Sequence, residues 1–265
     1  MQPAPAKNPT HRHGLVRGIL FDKDGTLLDF CATWIPAYRA AAGEIAALAG
    51  GVDAQTLLAD VGYDAVTGGC DPHSVLAAGT NLELATAWAA ICGLDVEVVL
   101  PVVERTLDES ARRDAVPLVD LDTFFAGLTA RGFVLGVATM DGEATARAML
   151  DRFGVLGHLA FLCGGDSGCG TKPGPGMVDA FLAAAGLRAN EVMVVGDTPH
   201  DMEMARAAGV ACRVGVLSGA GTREALEPIA DRVIASIAKL DDVLRSPMPP
   251  RAAAADMHAC ARSAR

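Results

Sequence analysis

Residues 18–28 read Gly-Ile-Leu-Phe-Asp-Lys-Asp-Gly-Thr-Leu-Leu, and this stretch decides the fold. Its apolar run, 19–21, stops abruptly at Asp22 and Asp24, which predicts a buried strand with two carboxylates at its carboxyl end. Ligands of open α/β sheets bind at that edge. Side chains alternate along an extended segment, so Asp22 and Asp24 should point the same way, and Gly25 allows a sharp turn beyond them.

Two neighbouring carboxylates repel each other unless a cation lies between them. Carboxylate oxygens suit a hard divalent ion, so the pair Asp22 and Asp24 predicts a site for Mg²⁺. The alternative is a surface turn after a core strand, because Asp and Gly are ordinary turn residues. The letters of this stretch alone leave both interpretations open.

Composition sets limits on the class of protein. The chain has 265 residues, 51% apolar, with a mean hydropathy of +0.30, enough for the packed core of one large or two modest domains. A net charge of −10 argues against a nucleic-acid partner, because phosphate backbones require a basic face. The seven cysteines form no Cys-x-x-Cys pair and are interpreted as mostly small core residues in a reducing compartment. Without a secretory or membrane-spanning apolar run, the chain is expected to be soluble, cytoplasmic and free of membrane partners.

Hydrophobic periodicity divides the chain into a predicted α/β core and a helical insert. The insert, 31–115, shows helical period and no obvious strand, with helices predicted at 33–48, 54–61, 82–92 and 96–112. The core, 15–30 and 116–245, alternates helices with apolar strands predicted at 15–21, 133–138, 159–163, 191–195, 211–215 and 232–234. Residues 1–14, which include His11 and His13, and residues 246–265 are predicted to be flexible tails.

Polar residues follow the second and third predicted strands of the core. Thr139 follows 133–138, and Asp141 is predicted to cap the next helix. After 159–163 comes a glycine-dense loop, 164–176, that contains Lys172, a compact point charge suited to binding an anion. Asp166 and Ser167 in this loop are candidates for the entrance to a site.

The fourth predicted strand, 191–195, is followed by Asp197 and, at the first turn of the next helix, by Asp201. Acidic residues are common at helix N-termini for electrostatic reasons, which explains Asp201 well and Asp197 less well. His200 is expected to face solvent or the mouth of a pocket.

These strand ends, taken in order, resemble the four motifs of the haloacid dehalogenase superfamily of phosphohydrolases. The matching residues are Phe-Asp-Lys-Asp-Gly-Thr-Leu-Leu at 21–28, Thr139 after its strand, Lys172-Pro173, and Gly-Asp-Thr-Pro-His-Asp at 196–201. The resemblance implies a Rossmann-like parallel sheet with an inserted all-helical cap at 31–115. Lys23 departs from the apolar residue common at its position, and its side chain is expected to face away from the two acids.

The resemblance also implies roles. Asp22 would be the nucleophile and Asp24 the general acid and base, and the catalytic set would be completed by Thr139 and Lys172. The substrate phosphate would be held by Asp22, Gly25, Thr139, Met140 and Lys172. Magnesium would be held by Asp22, Asp24 through its carbonyl, Asp197 and Asp201.

Within the superfamily, the loop Asp-Ser-Gly-Cys-Gly-Thr-Lys-Pro-Gly-Pro at 166–175 and the helical insert resemble phosphoglycolate phosphatases and their relatives. This implies a magnesium-dependent phosphatase acting on a small phosphorylated metabolite through an aspartyl phosphate. A phosphomutase of the β-phosphoglucomutase type shares every motif, and a non-catalytic phosphate-binding protein is a further alternative. The candidates for contacting the rest of the substrate are Thr33, Trp34, Arg39, His73, Asn81 and Glu83, although Trp34 and Trp88 also suit a core, Arg39 a solvated face and Asn81 a helix cap.

Overall fold

A six-stranded parallel sheet forms the centre of the molecule. The computed structural model describes residues 16–71 and 74–246. The strands are β1 (Gly18–Phe21), β2 (Val134–Ala138), β3 (Leu159–Cys163), β4 (Val192–Gly196), β5 (Cys212–Val216) and β6 (Arg232–Ile234), in the spatial order β3-β2-β1-β4-β5-β6. The predicted parallel sheet is confirmed, with boundaries that differ by up to three residues. The two predicted tails lie outside the described residues except for residue 246.

Helices cover both faces of the sheet, and β1 to β4 are accordingly apolar throughout, whereas β5 and β6 each contain one arginine. Helix α6 (Leu121–Ala130) precedes β2. The helices between the later strands are α7 (Glu143–Arg152), α8 (Gly176–Ala185), α9 (Pro199–Ala208) and α10 (Arg223–Leu226), and α11 (Leu240–Arg245) follows β6. Alternation along β1 divides the core: Phe21 packs with the side chains of α6 and α7, and Leu20 packs with those of α8 and α9.

The segment between β1 and α6 is helical. It contains α1 (Phe30–Ala49), α2 (Ala54–Asp60), α3 (Val75–Ala78), α4 (Asn81–Cys92) and α5 (Val96–Asp114), and its described part contributes no strand to the sheet. Helix α1 packs against α5, and Trp88 of α4 is fully buried with its indole N–H donating to the Leu57 carbonyl at 2.8 Å. Helix α1 begins three residues before the prediction because the Asp29 carboxylate caps it. The four-residue α3 is too short to show a helical period and was not predicted.

The register of the central strands brings the predicted motifs to one edge. Phe21, the last residue of β1, pairs with Val137 of β2 on one side and with Val195 of β4 on the other. The residues that follow these strands, beginning with Asp22, Thr139 and Asp197, therefore lie side by side at the carboxyl edge of the sheet.

Two broader expectations can be compared with the described residues. No helix in 16–71 or 74–246 has the length and apolar character needed to cross a membrane. Of the six cysteines in these ranges, all free thiols, only Cys163 and Cys212 are buried. Cys70, Cys92 and Cys169 are partly buried and pack against the core, so the interpretation of the cysteines as mostly core residues holds for the described ones except the exposed Cys31.

Candidate active site

Three of the predicted acids form a cluster at the carboxyl edge of the sheet. Asp22, Asp197 and Asp201 each place a carboxylate oxygen within 4.8 Å of the other two. The Asp22 backbone N–H donates to the Val195 carbonyl at 2.8 Å, which joins the end of β1 to the end of β4. Asp197 and Asp201 are almost completely buried, and the Asp22 side chain is 11% exposed. Strand register thus brings together acids that are 175 and 179 residues apart in the chain.

Lys172 lies among these acids. Its Nζ donates to Asp22 Oδ1 at 2.5 Å and to Asp201 Oδ1 at 2.6 Å, and its side chain is 3% exposed. Burial alone would lower the pKa of Lys172, but the carboxylates of Asp201 and Asp22 outweigh it and hold the pKa above its usual value. The glycine-dense loop before α8 therefore turns this lysine inward, and it remains charged.

Asp201 is oriented by the start of its own helix. Its Oδ2 accepts from the backbone N–H of Thr198 at 3.0 Å and from the Thr198 hydroxyl at 2.7 Å, a reciprocal cap of α9. The same carboxylate therefore caps the helix with one oxygen and contacts Lys172 with the other.

Asp197 lies in a cradle that sequence reasoning missed. Its Oδ2 accepts from the backbone N–H of Ala220 at 2.8 Å, in the loop after β5. Gly25, at φ +77°, and Gly219 approach so closely that an added Cβ would lie 2.4 Å and 2.0 Å from this oxygen. The signal that could have found the loop is Ser218-Gly-Ala-Gly, which begins three residues after the end of the predicted strand 211–215. Gly25 thus lies against Asp197, and its lack of a side chain allows its backbone to approach the Asp197 carboxylate.

Thr139 and Met140 line the same open cleft as Asp22 and Lys172. Thr139 is 1% exposed, and its Oγ1 accepts from the backbone N–H of Asp141 at 3.2 Å. That contact leaves the hydroxyl proton of Thr139 available to a ligand in the cleft. The geometry is therefore compatible with the predicted contact between Thr139 and a phosphate oxygen.

The Asp24 carboxylate lies in the cleft but outside the acid cluster. Lys23, which is fully buried, forms ion pairs with Asp24 Oδ2 at 2.6 Å and with Asp141 Oδ2 at 2.8 Å. The indole N–H of Trp34 donates to Asp24 Oδ1 at 2.5 Å. The expectation that Lys23 faces away from Asp24 was wrong, because β1 ends at Phe21 and strand alternation does not continue into the turn.

Asp141 does not cap α7 as predicted. The helix begins without a side-chain cap from its own N-cap residue, Gly142, and the Glu143 N–H instead donates to Asp166 Oδ1 at 2.8 Å. The Asp141 carboxylate is drawn to the Lys23 ammonium. Burial is the main reason that the pKa of Asp141 rises to about 6, a rise that Lys23 opposes. Asp166 thus supports the edge of the site, and Ser167 donates to Glu143 Oε2 at 2.7 Å.

Most of the predicted substrate contacts from the helical segment have structural partners. The Thr33 hydroxyl accepts from the Val116 N–H, Arg39 bonds the Tyr63 hydroxyl, and Glu83 forms a reciprocal cap with Thr80. Thr80, not Asn81, is therefore the N-cap of α4. His73 lies outside the described residues. The helical side chains that line the cleft include Trp34, Tyr38 and Leu76, and His200 lines it from α9 as expected for a residue at its mouth.

The electrostatics of the cluster favour an additional cation. Burial, followed by the neighbouring charges of Asp201 and Asp24, raises the pKa of Asp22 to about 7, although Lys172 opposes this. Burial and Asp22 raise the pKa of Asp197 well above its ordinary value. Three carboxylates face one ammonium, so full ionisation leaves excess negative charge. A set of buried carboxylate oxygens with this imbalance could bind a hard metal ion.

Comparisons with known proteins identify the family of this chain. A model of the haloacid dehalogenase-like hydrolase family matches residues 16–209. The chain belongs to the haloacid dehalogenase-like hydrolase family. The family and the curated phosphatase relatives make this protein an enzyme, a hydrolase of the phosphatase type.

Curated relatives are named phosphoglycolate phosphatases. The one from Rhodospirillum rubrum is 38% identical over 46% of this chain, and the match spans half of that relative's length. The one from Pectobacterium atrosepticum is 30% identical, with 80% of this chain and 85% of the relative covered. The crystal structure of a predicted phosphoglycolate phosphatase from Haemophilus somnus has a TM-score of 0.67 at 18% identity, covering 86% of this chain and 97% of that one. At that identity, the structural likeness shows the fold alone.

Proposed function

We propose that this protein is a magnesium-dependent phosphatase that hydrolyses a small phosphomonoester, of the phosphoglycolate type, through a phosphoryl group on Asp22. The observation that carries the proposal is the position of Lys172 between Asp22 and Asp201, two acids that form a cluster with Asp197. A buried ammonium next to a partly accessible carboxylate is the arrangement needed to bring a phosphate dianion to a nucleophile of like charge.

The residues that would hold the metal ion are Asp22, Asp197 and Asp201, with Asp24 contributing its backbone carbonyl. Two observations support the fit of these residues to a metal ion. Their donor atoms are all oxygens, and the backbone of Gly25 and Gly219 lies close against the Asp197 carboxylate in the cluster. A divalent ion bound there neutralises charge on the phosphoryl oxygens and on the cluster. Asp201 is already bonded to Lys172 and Thr198, so it acts as a direct ligand or as a group that orients the others.

The chemistry then proceeds in two displacements. An oxygen of Asp22 attacks phosphorus while the bond from phosphorus to the leaving oxygen breaks, and Asp24 gives its proton to that oxygen. Thr139 and Lys172 hold the phosphoryl oxygens in position. In the second step Asp24 takes a proton from water, whose oxygen attacks phosphorus and releases Asp22 together with inorganic phosphate.

The helical segment would act as a cap over a core formed by 15–30 and 116–245. This division is supported by the position of Trp34, Tyr38 and Leu76, which reach the cleft from α1 and α3. Closing such a cap excludes water from the first displacement and strengthens the contacts between charged groups.

The test is release of inorganic phosphate by the purified full chain. We expect hydrolysis of p-nitrophenyl phosphate and phosphoglycolate that requires Mg²⁺ and is lost on chelation. Phosphoglycolate is tried first, because the curated relatives carry its name. No release from any phosphomonoester in a metabolite panel would contradict the proposal. Phosphate binding without turnover would indicate a binding protein, and activity that requires a sugar bisphosphate would indicate a phosphomutase.

A further inference from the structure

Lys23 is a charged side chain enclosed in the protein beside the cleft. It is 0% exposed, and its Nζ lies 2.6 Å from Asp24 Oδ2 and 2.8 Å from Asp141 Oδ2. Its other neighbours are the Met149 sulfur at 3.5 Å and the Trp34 ring, whose centroid is 5.1 Å away. An ammonium without water is costly unless it is paired, so the two carboxylates are required to keep Lys23 there.

Stability is a poor explanation for this arrangement. Replacing a buried ion pair with apolar side chains of similar volume often leaves stability unchanged or increases it. Apolar side chains at both positions 23 and 141 would need no such pairing. The proposed chemistry does not use Lys23 directly either, because its side chain does not line the cleft.

The contacts of Lys23 hold the Asp24 carboxylate in one orientation. The ammonium reaches both carboxylate oxygens of Asp24, at 2.7 Å and 2.6 Å, and Trp34 adds its hydrogen bond to Oδ1. Asp141, which follows β2, holds the ammonium from the other side. The row Asp141, Lys23, Asp24 thus connects the ends of β2 and β1 and determines where the Asp24 carboxylate lies.

We propose that Lys23 and Asp141 are positioning residues that orient Asp24 for proton transfer to the leaving oxygen. The inference rests on the proposed function, because only there does Asp24 transfer a proton. In that step the Asp24 proton passes to the leaving oxygen as its bond to phosphorus breaks, and Asp24 later takes a proton from the attacking water. Transfer requires heavy atoms about 2.6–3.2 Å apart, so an Asp24 side chain that rotates freely slows both displacements.

The kinetic test uses Lys23→Met, which keeps an unbranched side chain of nearly the same length and removes the charge. For an alkyl phosphate, whose leaving oxygen needs a proton, we expect kcat/KM, which reports the first displacement, to fall by about tenfold or more. For p-nitrophenyl phosphate, a good leaving group, we expect kcat/KM to fall by less than about threefold. Asp141→Asn should change kcat/KM in the same direction, and the double variant should be no worse than Lys23→Met.

The matched control is Arg213→Met. Arg213 forms a partly buried ion pair with Asp231 at 2.8 Å, and neither residue lines the cleft. This variant should lower the thermal midpoint while leaving the dependence on the leaving group unchanged. If Lys23→Met reduces kcat/KM equally for both esters, or not at all, the positioning role is contradicted.

A spectroscopic measurement separates this inference from the proposed function. The chain has two tryptophans, so an ¹H–¹⁵N spectrum shows two indole N–H signals. Lys23→Met should shift the Trp34 signal, whose N–H is bonded to Asp24, and leave that of Trp88, which is bonded to Leu57. An unmoved Trp34 signal contradicts the inference whether or not the parent enzyme is active. If Lys23→Met does not fold, Asp141→Asn decides by the same signals.

Discussion

Gly219 and Asp197 lie so close together that a Cβ at position 219 would be 2.0 Å from the Asp197 Oδ2. Real Cβ atoms essentially never approach an oxygen so closely, and Asp197, being buried, has little room to retreat. The neighbouring Ala220 N–H donates to the same oxygen at 2.8 Å. The loop after β5 thus holds Asp197 by backbone contacts that depend on the absence of a side chain.

Gly219→Ala should therefore displace the Asp197 carboxylate and weaken the binding of Mg²⁺. We expect the concentration of Mg²⁺ needed for half-maximal activity to rise by about tenfold or more, as for other supports of metal ligands. Titration of activity with Mg²⁺ measures this. The control is Gly127→Ala, in the middle of α6, where an added Cβ meets no atom within 4 Å. Equal Mg²⁺ requirements in the two variants would contradict the prediction.

The parts of the fold that follow from short-range pattern were predictable from sequence. Short apolar runs locate β2 and β4 to within one residue of their predicted ends, and helical period places α5 at its predicted start, residue 96. Asp22 and Asp197 could be placed at one edge because strand ends of a parallel sheet converge there. These inferences need only the direction and order of the strands.

The contacts that were mispredicted depend on the third dimension. Lys23 and Asp141 are 118 residues apart, and neither residue's local sequence shows that the two side chains meet in the core. Local rules predicted that Lys23 faces away from Asp22 and Asp24 and that Asp141 caps a helix, but the attraction between the Lys23 ammonium and the Asp141 carboxylate outweighed both. The Gly219 loop was missed for a related reason. A glycine is required there only because Asp197, which is distant in sequence, lies against it.

Asp22→Asn should abolish turnover while preserving the fold. The amide keeps the shape of the side chain but cannot act as the nucleophile, so kcat should fall by at least about a thousandfold. Phosphate release and far-ultraviolet circular dichroism together measure this. The exposed Asp179 in α8 provides the control, since Asp179→Asn should retain activity. An active Asp22→Asn variant would contradict the assignment of the nucleophile.

Thr139 should act through its hydroxyl group. Thr139→Ser retains that group and should keep kcat/KM within about threefold, whereas Thr139→Val has a similar shape without a donor and should lose about tenfold to a hundredfold. Steady-state kinetics on one phosphomonoester compares the two variants. Similar losses in both would show that the methyl group, and hence packing, matters more than the donor.

Lys172→Met should remove the counter-charge of Asp22 and Asp201. We expect kcat/KM to fall by about a hundredfold or more, as when one preorganised donor is removed from a phosphoryl or oxyanion site. The thermal midpoint without Mg²⁺ should also fall, because two buried carboxylates lose their ammonium partner. Lys239→Met, at an exposed position, is the control and should change neither quantity. Full activity of Lys172→Met would rule out its contact with the phosphate.

The stability of the metal-free protein should depend on the protonation of Asp22. Burial raises the pKa of this carboxyl from 3.8 to about 7, so between these values the folded chain binds a proton that the unfolded chain has released. Folding stability from this group is therefore highest below about pH 4, falls as the pH rises to about 7, and levels off above it. Asp22→Asn removes this dependence, so the variant should gain stability relative to the parent as the pH rises.

Thermal unfolding at pH 5 and pH 8 with a chelator measures the effect as the difference between the two proteins. Titration of other groups is largely common to both and cancels in that difference. Mg²⁺ should reduce the loss of thermal stability between pH 5 and pH 8 in the parent, because a bound cation favours the ionised carboxylate. It should have a smaller effect on Asp22→Asn. A difference that is constant with pH, or that shrinks as the pH rises, would mean that Asp22 is ionised in the folded chain at pH 5, with Lys172 outweighing its burial.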